Sequence, residues 1–274
     1  MLVKYSNALS LNVVFGVISC SLCFLEPDPF IQDKPVFIVI LGLATWIIYT
    51  VDHILDGYRL KGNSGIFRYD FNYRFRVVLI GIGIIFSVII IWLIYQNMKA
   101  AFVNRGFWLI LILFFYFILK FKGFFSPILK MLIISVVVST VVVSFYQEAS
   151  IFVNLFSFEQ LAMVLIAFIN QLVLEHFELY EEKKVNQPNS SNLYEIFAKK
   201  VFIWLIVFLA IIVFLNIYAW PYCLAMFFTA LIIRFILQRP QWFAKERRYR
   251  YFADFALVLM WPFLKGMLLI QQLI

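Results

Sequence analysis

Two pairs of carboxylates stand out in a chain that carries few charges. Asp52 and Asp56 close the run from Thr45 to Asp56. Four residues apart, they stack on one face of a helix, with Thr45 and Tyr49 continuing the polar stripe. Glu178 and Glu182 repeat that spacing at the end of another apolar run, and Gln171 and Glu175 extend their face. Like charges at this spacing repel, and a cation between them relieves the repulsion. Hard oxygen ligands suit Mg2+, which bridges protein carboxylates and substrate phosphates. Basic residues in the segments that follow would help stabilise a departing diphosphate. Either pair taken singly reads equally well as an interfacial helix end with its carboxylates in headgroup water. Two pairs at matching spacing favour a site.

The elements that must position these acids are apolar. Hydrophobic residues make up 64% of the 274 and charged residues 14%, with a mean hydropathy of +0.94, too apolar for one soluble core. The runs lack the polar alternation of a closed barrel, so each is expected to cross lipid as a helix. Nine windows are long enough: Ala8 to Leu25, Val36 to Val51, Val77 to Tyr95, Phe107 to Leu119, Pro127 to Tyr146, Leu161 to Phe177, Val201 to Ile217, Pro221 to Leu237 and Phe252 to Ile270. The fourth is short unless it begins back at Phe102. The expected fold is an all-α polytopic bundle of nine helices, with residues 1–274 forming a single integral-membrane domain.

Lys and Arg set the orientation. With the N-terminus inside, the outer segments hold only Lys34, Lys99 and Arg105, with Lys265 near the outer end of the last span; every other Lys and Arg falls on the inner side. Both acidic pairs then emerge at the cytoplasmic face. The net charge of +8 follows from this bias and from attraction to anionic lipid, and nucleic-acid binding has no separate support. The first window ends in Glu26-Pro27-Asp28-Pro29, which predicts a span and not a cleaved signal. The long polar connections, Gly57 to Arg76, Tyr180 to Lys200 and Gln238 to Arg250, all lie on the cytoplasmic side.

Several residues have a plain structural reading. Cys20, Cys23 and Cys223 sit in apolar runs and read as small packed side chains in preference to a redox or metal pair. His53 and His176 flank the acids, too few for a His-rich di-iron site, and are expected to pack or hydrogen-bond. Arg250 and Asp254 suit an interfacial ion pair. Trp261-Pro262 suits helix shaping, and Lys265 is expected to snorkel to headgroups.

The chain resembles the UbiA superfamily of intramembrane prenyltransferases, whose members have nine helices and acidic motifs at the cytoplasmic ends of the second and sixth. In the first motif, Asn-Asp-x-x-Asp-x-x-x-Asp, Asp52 and Asp56 match the last two acids, and Ile48 and Tyr49 stand in place of the initial Asn-Asp. Glu178, Glu182 and Lys184 match the second motif, Asp-x-x-x-Asp-x-Lys, with glutamate for aspartate. The family's Arg-Pro pair after the first motif is not found. The resemblance implies transfer of a prenyl group from an isoprenoid diphosphate to a lipophilic acceptor, aromatic or a quinone precursor, assisted by Mg2+. It implies Asp52, Asp56, Glu178 and Glu182 as catalytic magnesium ligands and Arg59, Lys61, Arg68 and Lys184 as diphosphate contacts. Tyr49 and Asn170 are expected to face the cavity near the reacting carbon. The implied location is a bacterial inner membrane, with the isoprenoid tail in the apolar interior and membrane lipid around it. Two other readings stand beside it, a membrane transporter and a non-catalytic isoprenoid-binding descendant. Transport sites favour the midplane of repeated halves, whereas these acids cluster at helix ends.

Overall fold

A computed structural model describes residues 2–25, 34–59, 67–97, 100–121, 127–143, 158–183, 191–215, 220–244 and 248–273. Among these residues the chain is all-α, without strands. The helices are α1 (Leu2–Ala8), α2 (Leu11–Leu25), α3 (Lys34–Arg59), α4 (Phe67–Arg74), α5 (Arg76–Asn97), α6 (Ala100–Phe121), α7 (Pro127–Val143), α8 (Phe158–Lys183), α9 (Ser191–Leu215), α10 (Trp220–Gln238), α11 (Pro240–Ala244), α12 (Arg248–Val258) and α13 (Met260–Leu273). Five stretches are long and apolar enough to cross a membrane: Pro35–Tyr58, Arg76–Asn97, Gln160–Phe177, Trp220–Gln238 and Arg248–Gln272. Shorter apolar helical stretches, Leu11–Cys23, Gly106–Ile118, Ile128–Thr140 and Lys200–Ile211, fall in the remaining expected windows.

Three boundaries differ from the sequence reading. The first window does not begin at Ala8, because Ser10 takes a left-handed backbone (φ 56°) and separates α1 from α2. The fourth window extends back to Ala100 as α6. The connection from Gly57 to Arg76, read as a long polar segment, contains α4.

The chain divides into two compact units, Met1–Ile18 with Pro27–Phe125, and Ser19–Glu26 with Ser126–Ile274. In the first, α3 packs against α4 and α5, and α1 against α4. Trp46, Ile54 and Leu79 form a small core, flanked by Val14, Ile82 and Phe86. Leu79 is the buried residue of α5. Val77 is 76% exposed and Ile91 67%, and Val78, Ile84, Ile85 and Val88 are also exposed. Each such side chain in water forgoes roughly 1.5–3 kcal/mol of burial. The row on α5 alone would therefore match or exceed the ~5–15 kcal/mol by which a folded domain outweighs its unfolded chain. Lipid removes that cost, so the surface suits acyl chains.

In the second unit, α8 is the central element, packed by α7, α9, α10 and α12. Ile166, Ile169, Leu172, Val173 and Phe177 are almost fully buried on it. One of its buried polar groups is tied sideways: the Gln160 carboxamide hydrogen-bonds the hydroxyls of Ser139 and Thr140 on α7 at 3.0 and 2.9 Å. Phe177 stacks on Tyr249 of α12 with ring centroids 4.7 Å apart.

The last span is interrupted at Leu259, between α12 and α13, although helical bonds carry on across it from Leu259 N to Phe255 O and from Phe263 N to Leu259 O. Pro262 is the cause, because it has no N–H for the Val258 carbonyl four residues back, and its ring crowds that carbonyl. Ser19 fills the gap: its hydroxyl donates to Val258 O at 2.6 Å and accepts from Trp261 N at 3.3 Å. Cys20 beside it directs its thiol to Leu257 O at 3.9 Å. A side chain from another helix thus satisfies backbone groups that the proline sets free.

Ser19→Ala is expected to lower stability by about 1 kcal/mol, the scale of interhelical hydrogen bonds in membranes. In a Pro262→Ala background, where an N–H returns to Val258, the same change should cost little. Equal losses in both backgrounds, measured by unfolding in mixed micelles, would refute this role for Ser19.

Candidate functional site

Helix α3 continues through Arg59, so the acids at its end stand on regular helical turns. Tyr49, Asp52 and Asp56 occupy one face, each half-buried. Facing them is Tyr116 of α6, buried at 5% exposure. Its hydroxyl donates to Asp52 Oδ1 over a long 3.4 Å. Asp56 and Tyr49 also lie near enough to act electrostatically on that hydroxyl. The bond from Tyr116 thus links α6 to the face of α3 that carries Tyr49, Asp52 and Asp56. The arrangement supplies oxygen donors and a phenol that orients one of them.

Behind this face, a second set of polar groups locks α1, α3 and α4 together. His53, one residue past Asp52 and buried, lies with Nδ1 3.3 Å from Ser10 Oγ, at the left-handed turn. The His53 ring meets Tyr49 and Tyr69 edge-on at 6.5 and 5.9 Å. The Arg68 guanidinium lies over the Tyr69 ring at 4.2 Å and hydrogen-bonds its hydroxyl. Asn72 Nδ2 donates to Ala8 O at 2.8 Å and to Arg68 O at 2.7 Å. The carbonyl of Ala8 ends α1 and would otherwise be among the acceptors a helix terminus leaves over.

Close approach of α3 and α4 depends on Gly57. A Cβ there would lie 2.7 Å from Tyr69 O and 2.9 Å from Tyr73 Cβ. Backbone on backbone leaves no flexible atom to yield, so the glycine sets how near Tyr69 comes to His53.

Of the residues singled out by sequence, Tyr49, Asp52 and Asp56 come together in the first unit. Arg68 lies in that unit too, buried on α4 against Tyr69. Asn170 lies in the second unit, buried on α8, and its Oδ1 has no hydrogen-bond partner among the described residues. The α8 backbone is helical through Lys183, so Glu178 and Glu182 keep their one-turn spacing. Their side chains, that of Arg59, and Lys61 and Lys184 lie outside the described residues. His176 is buried with its ring edge-on to Phe177 at 5.4 Å, and His53 hydrogen-bonds as expected. Cys20, Cys23 and Cys223 are buried thiols.

Tyr116 escaped the sequence reading. Its one signal was being the sole hydroxyl in the window from Phe107 to Leu119. Ser10 and Asn72 gave none, since their roles depend on a turn and a helix that local pattern does not mark.

Among the described residues, no group of three or more His, Cys, Asp or Glu side chains gathers to hold a metal ion. Asp52 and Asp56 do not need a third. Mg2+ is commonly held by one or two carboxylates and completes its shell with phosphate oxygens and water. Two carboxylates one helical turn apart are thus enough in number and chemistry for such an ion. No protein-family model matches the chain, and no curated protein or solved structure matches it significantly.

Gly57→Ala is expected to destabilise the first unit by about 1–3 kcal/mol, the scale of overpacking. Gly81→Ala on α5, where nothing lies within 4 Å, should instead be neutral or stabilising by up to about 1 kcal/mol through helix propensity. Thermal unfolding of the two variants in one detergent compares them directly. Equal effects would remove the close-approach argument.

Proposed function

We propose that this chain transfers a prenyl group from an isoprenoid diphosphate to a lipophilic acceptor of the aromatic or quinone-precursor class, with magnesium assistance. In this reading it acts as a nine-span protein of a bacterial inner membrane, with its N-terminus and site at the cytoplasmic face. The observation that carries the proposal is the shared face of Tyr49, Asp52 and Asp56 near the end of an apolar helix, with Tyr116 bonded to Asp52. Ionisable oxygens are costly in such a setting and mark functional positions by default. The resemblance of Asp52, Asp56, Glu178, Glu182 and Lys184 to the two acidic motifs of UbiA-type enzymes supplies the reaction class. The buried, unbonded Asn170 Oδ1 adds support, since buried acceptors almost always have a donor and a ligand would provide one.

The resemblance assigns magnesium to Asp52 and Asp56 on α3, and likewise to Glu178 and Glu182 on α8. When bound, the metal neutralises charge that builds on the departing diphosphate. Tyr116 keeps Asp52 oriented by donating to Oδ1. Arg59, Lys61 and Lys184 supply positive charge for the diphosphate, and Arg68 adds to the local field from its place on Tyr69. In the reaction, the allylic C–O bond breaks and its electron pair leaves with the diphosphate. A bond forms from the acceptor to the allylic carbon, and the acceptor then loses a proton. Tyr49 in the first unit and Asn170 in the second are each assigned a polar contact to substrate, and Phe, Leu and Ile side chains the isoprenoid tail.

The test uses purified protein with prenyl diphosphates of several lengths, with and without Mg2+, following pyrophosphate release. Release should require the metal. Asp56→Ala and Glu178→Ala should each lower kcat/KM by about 100-fold or more, the scale of losing one charge-stabilising group. Undiminished release in both variants would place the site elsewhere. Binding without release would leave a non-catalytic isoprenoid-binding protein, and neither binding nor release in the parent would end the reading.

A further inference from the structure

Helix α4 is built inside out. Its polar residues Arg68 and Asn72 are buried, as is Tyr69. Phe67, Phe71 and Phe75 follow at four-residue intervals along one face; Phe67 and Phe75 are exposed and Phe71 is half-buried. Their rings form a continuous row, with centroids 5.7 and 4.8 Å apart. Tyr5 of α1, 43% exposed, extends the row at 5.5 Å from Phe67 and 5.9 Å from Phe71. A helix surrounded by water turns arginine and asparagine outward and phenylalanine inward. The reversal here is the pattern of a helix whose surroundings are apolar.

The row also has a direction. The amide of Phe75 bonds Phe71 O and the amide of Leu79 bonds Phe75 O, both at 3.0 Å, so helical bonding runs from α4 into α5. The exposed phenylalanines therefore lead straight onto the exposed Val77, Val78 and Ile80 of the most lipid-suited helix in the chain. At the junction, Arg74 is exposed beside the Phe75 ring at 5.7 Å. Arg76 lies over Tyr73 at 4.5 Å and donates to Tyr73 O. Arginines among aromatic rings next to a hydrophobic stripe suit the layer where acyl chains give way to anionic headgroups.

We propose that α4 is an interfacial helix docked on membrane lipid, with Tyr5, Phe67, Phe71 and Phe75 against acyl chains and Arg74 at anionic headgroups. The connection between α3 and α5, which its polarity assigns to water, is then part of the membrane boundary. This holds whatever reaction the carboxylates perform.

Single cysteines at Phe67, Phe71 and Phe75, and at Tyr5 as a second view of the same patch, can be spin-labelled in nanodiscs of phosphatidylcholine and phosphatidylglycerol. The parent, whose three cysteines are buried, serves as the blank. Collisions with oxygen should exceed those with a water-soluble nickel complex at all four positions, and the order should reverse at Arg74→Cys. Dominant nickel collisions at the phenylalanine positions would show a water-facing helix and overturn the proposal. Low collision with both reagents and an immobilised spectrum would overturn it too, by showing that a second copy or another protein covers the patch.

Discussion

A polar group surrounded by apolar chains has no water to bond with when its partner is lost, and that constraint organises this molecule. Ser19 answers the Val258 carbonyl, Asn72 the Ala8 carbonyl, and Gln160 the hydroxyls of Ser139 and Thr140. In each case the bond joins two helices. Apolar packing gives little to distinguish one helix pairing from another in lipid, where the solvent is as greasy as the interface. The few polar side chains therefore specify which helices meet and in what register.

The acidic face of α3 depends on the same logic carried further. Tyr116 can donate a hydrogen bond to Asp52 only because α6 brings it there, and α3 can expose that face only because its other side is secured by His53, Ser10, Tyr69 and Asn72. Gly57 lets α4 come close enough to complete that second set. Half-buried carboxylates near a phenol can serve as donors to a cation and still be held in place without one. Their positions are fixed by the scaffold in advance of any ligand, which is how a site avoids the cost of assembling itself on binding.

Much of this was legible in the sequence, for identifiable reasons. Apolar windows are compositional, and the longer helices fall on them because a run of apolar residues that can cross lipid must close its own backbone hydrogen bonds. The one-turn spacing of Asp52 and Asp56 translated directly into a shared face, and Pro262 marked the place where the last span breaks. What stayed hidden was relational. Tyr116 matters because of what α6 places it against. Ser10 turns the chain with a backbone angle that serine rarely adopts. Helix α4 was masked by its arginines, which composition assigns to water even though Arg68 turns inward. Ser19 was one hydroxyl among several in an apolar run until the proline opposite gave it a purpose.

The broken span has an electrical side. An uninterrupted helix keeps the partial charges of its peptide dipoles at its two far ends, near water. At Leu259 the helical bonds continue, from Leu259 N to Phe255 O and from Phe263 N to Leu259 O, so the proline leaves only a local gap between the Val258 carbonyl and the Trp261 amide inside an apolar segment. The Ser19 hydroxyl lies across that gap, with its hydrogen toward the carbonyl and its oxygen toward the amide. It acts as a small counter-dipole where the surrounding medium screens least.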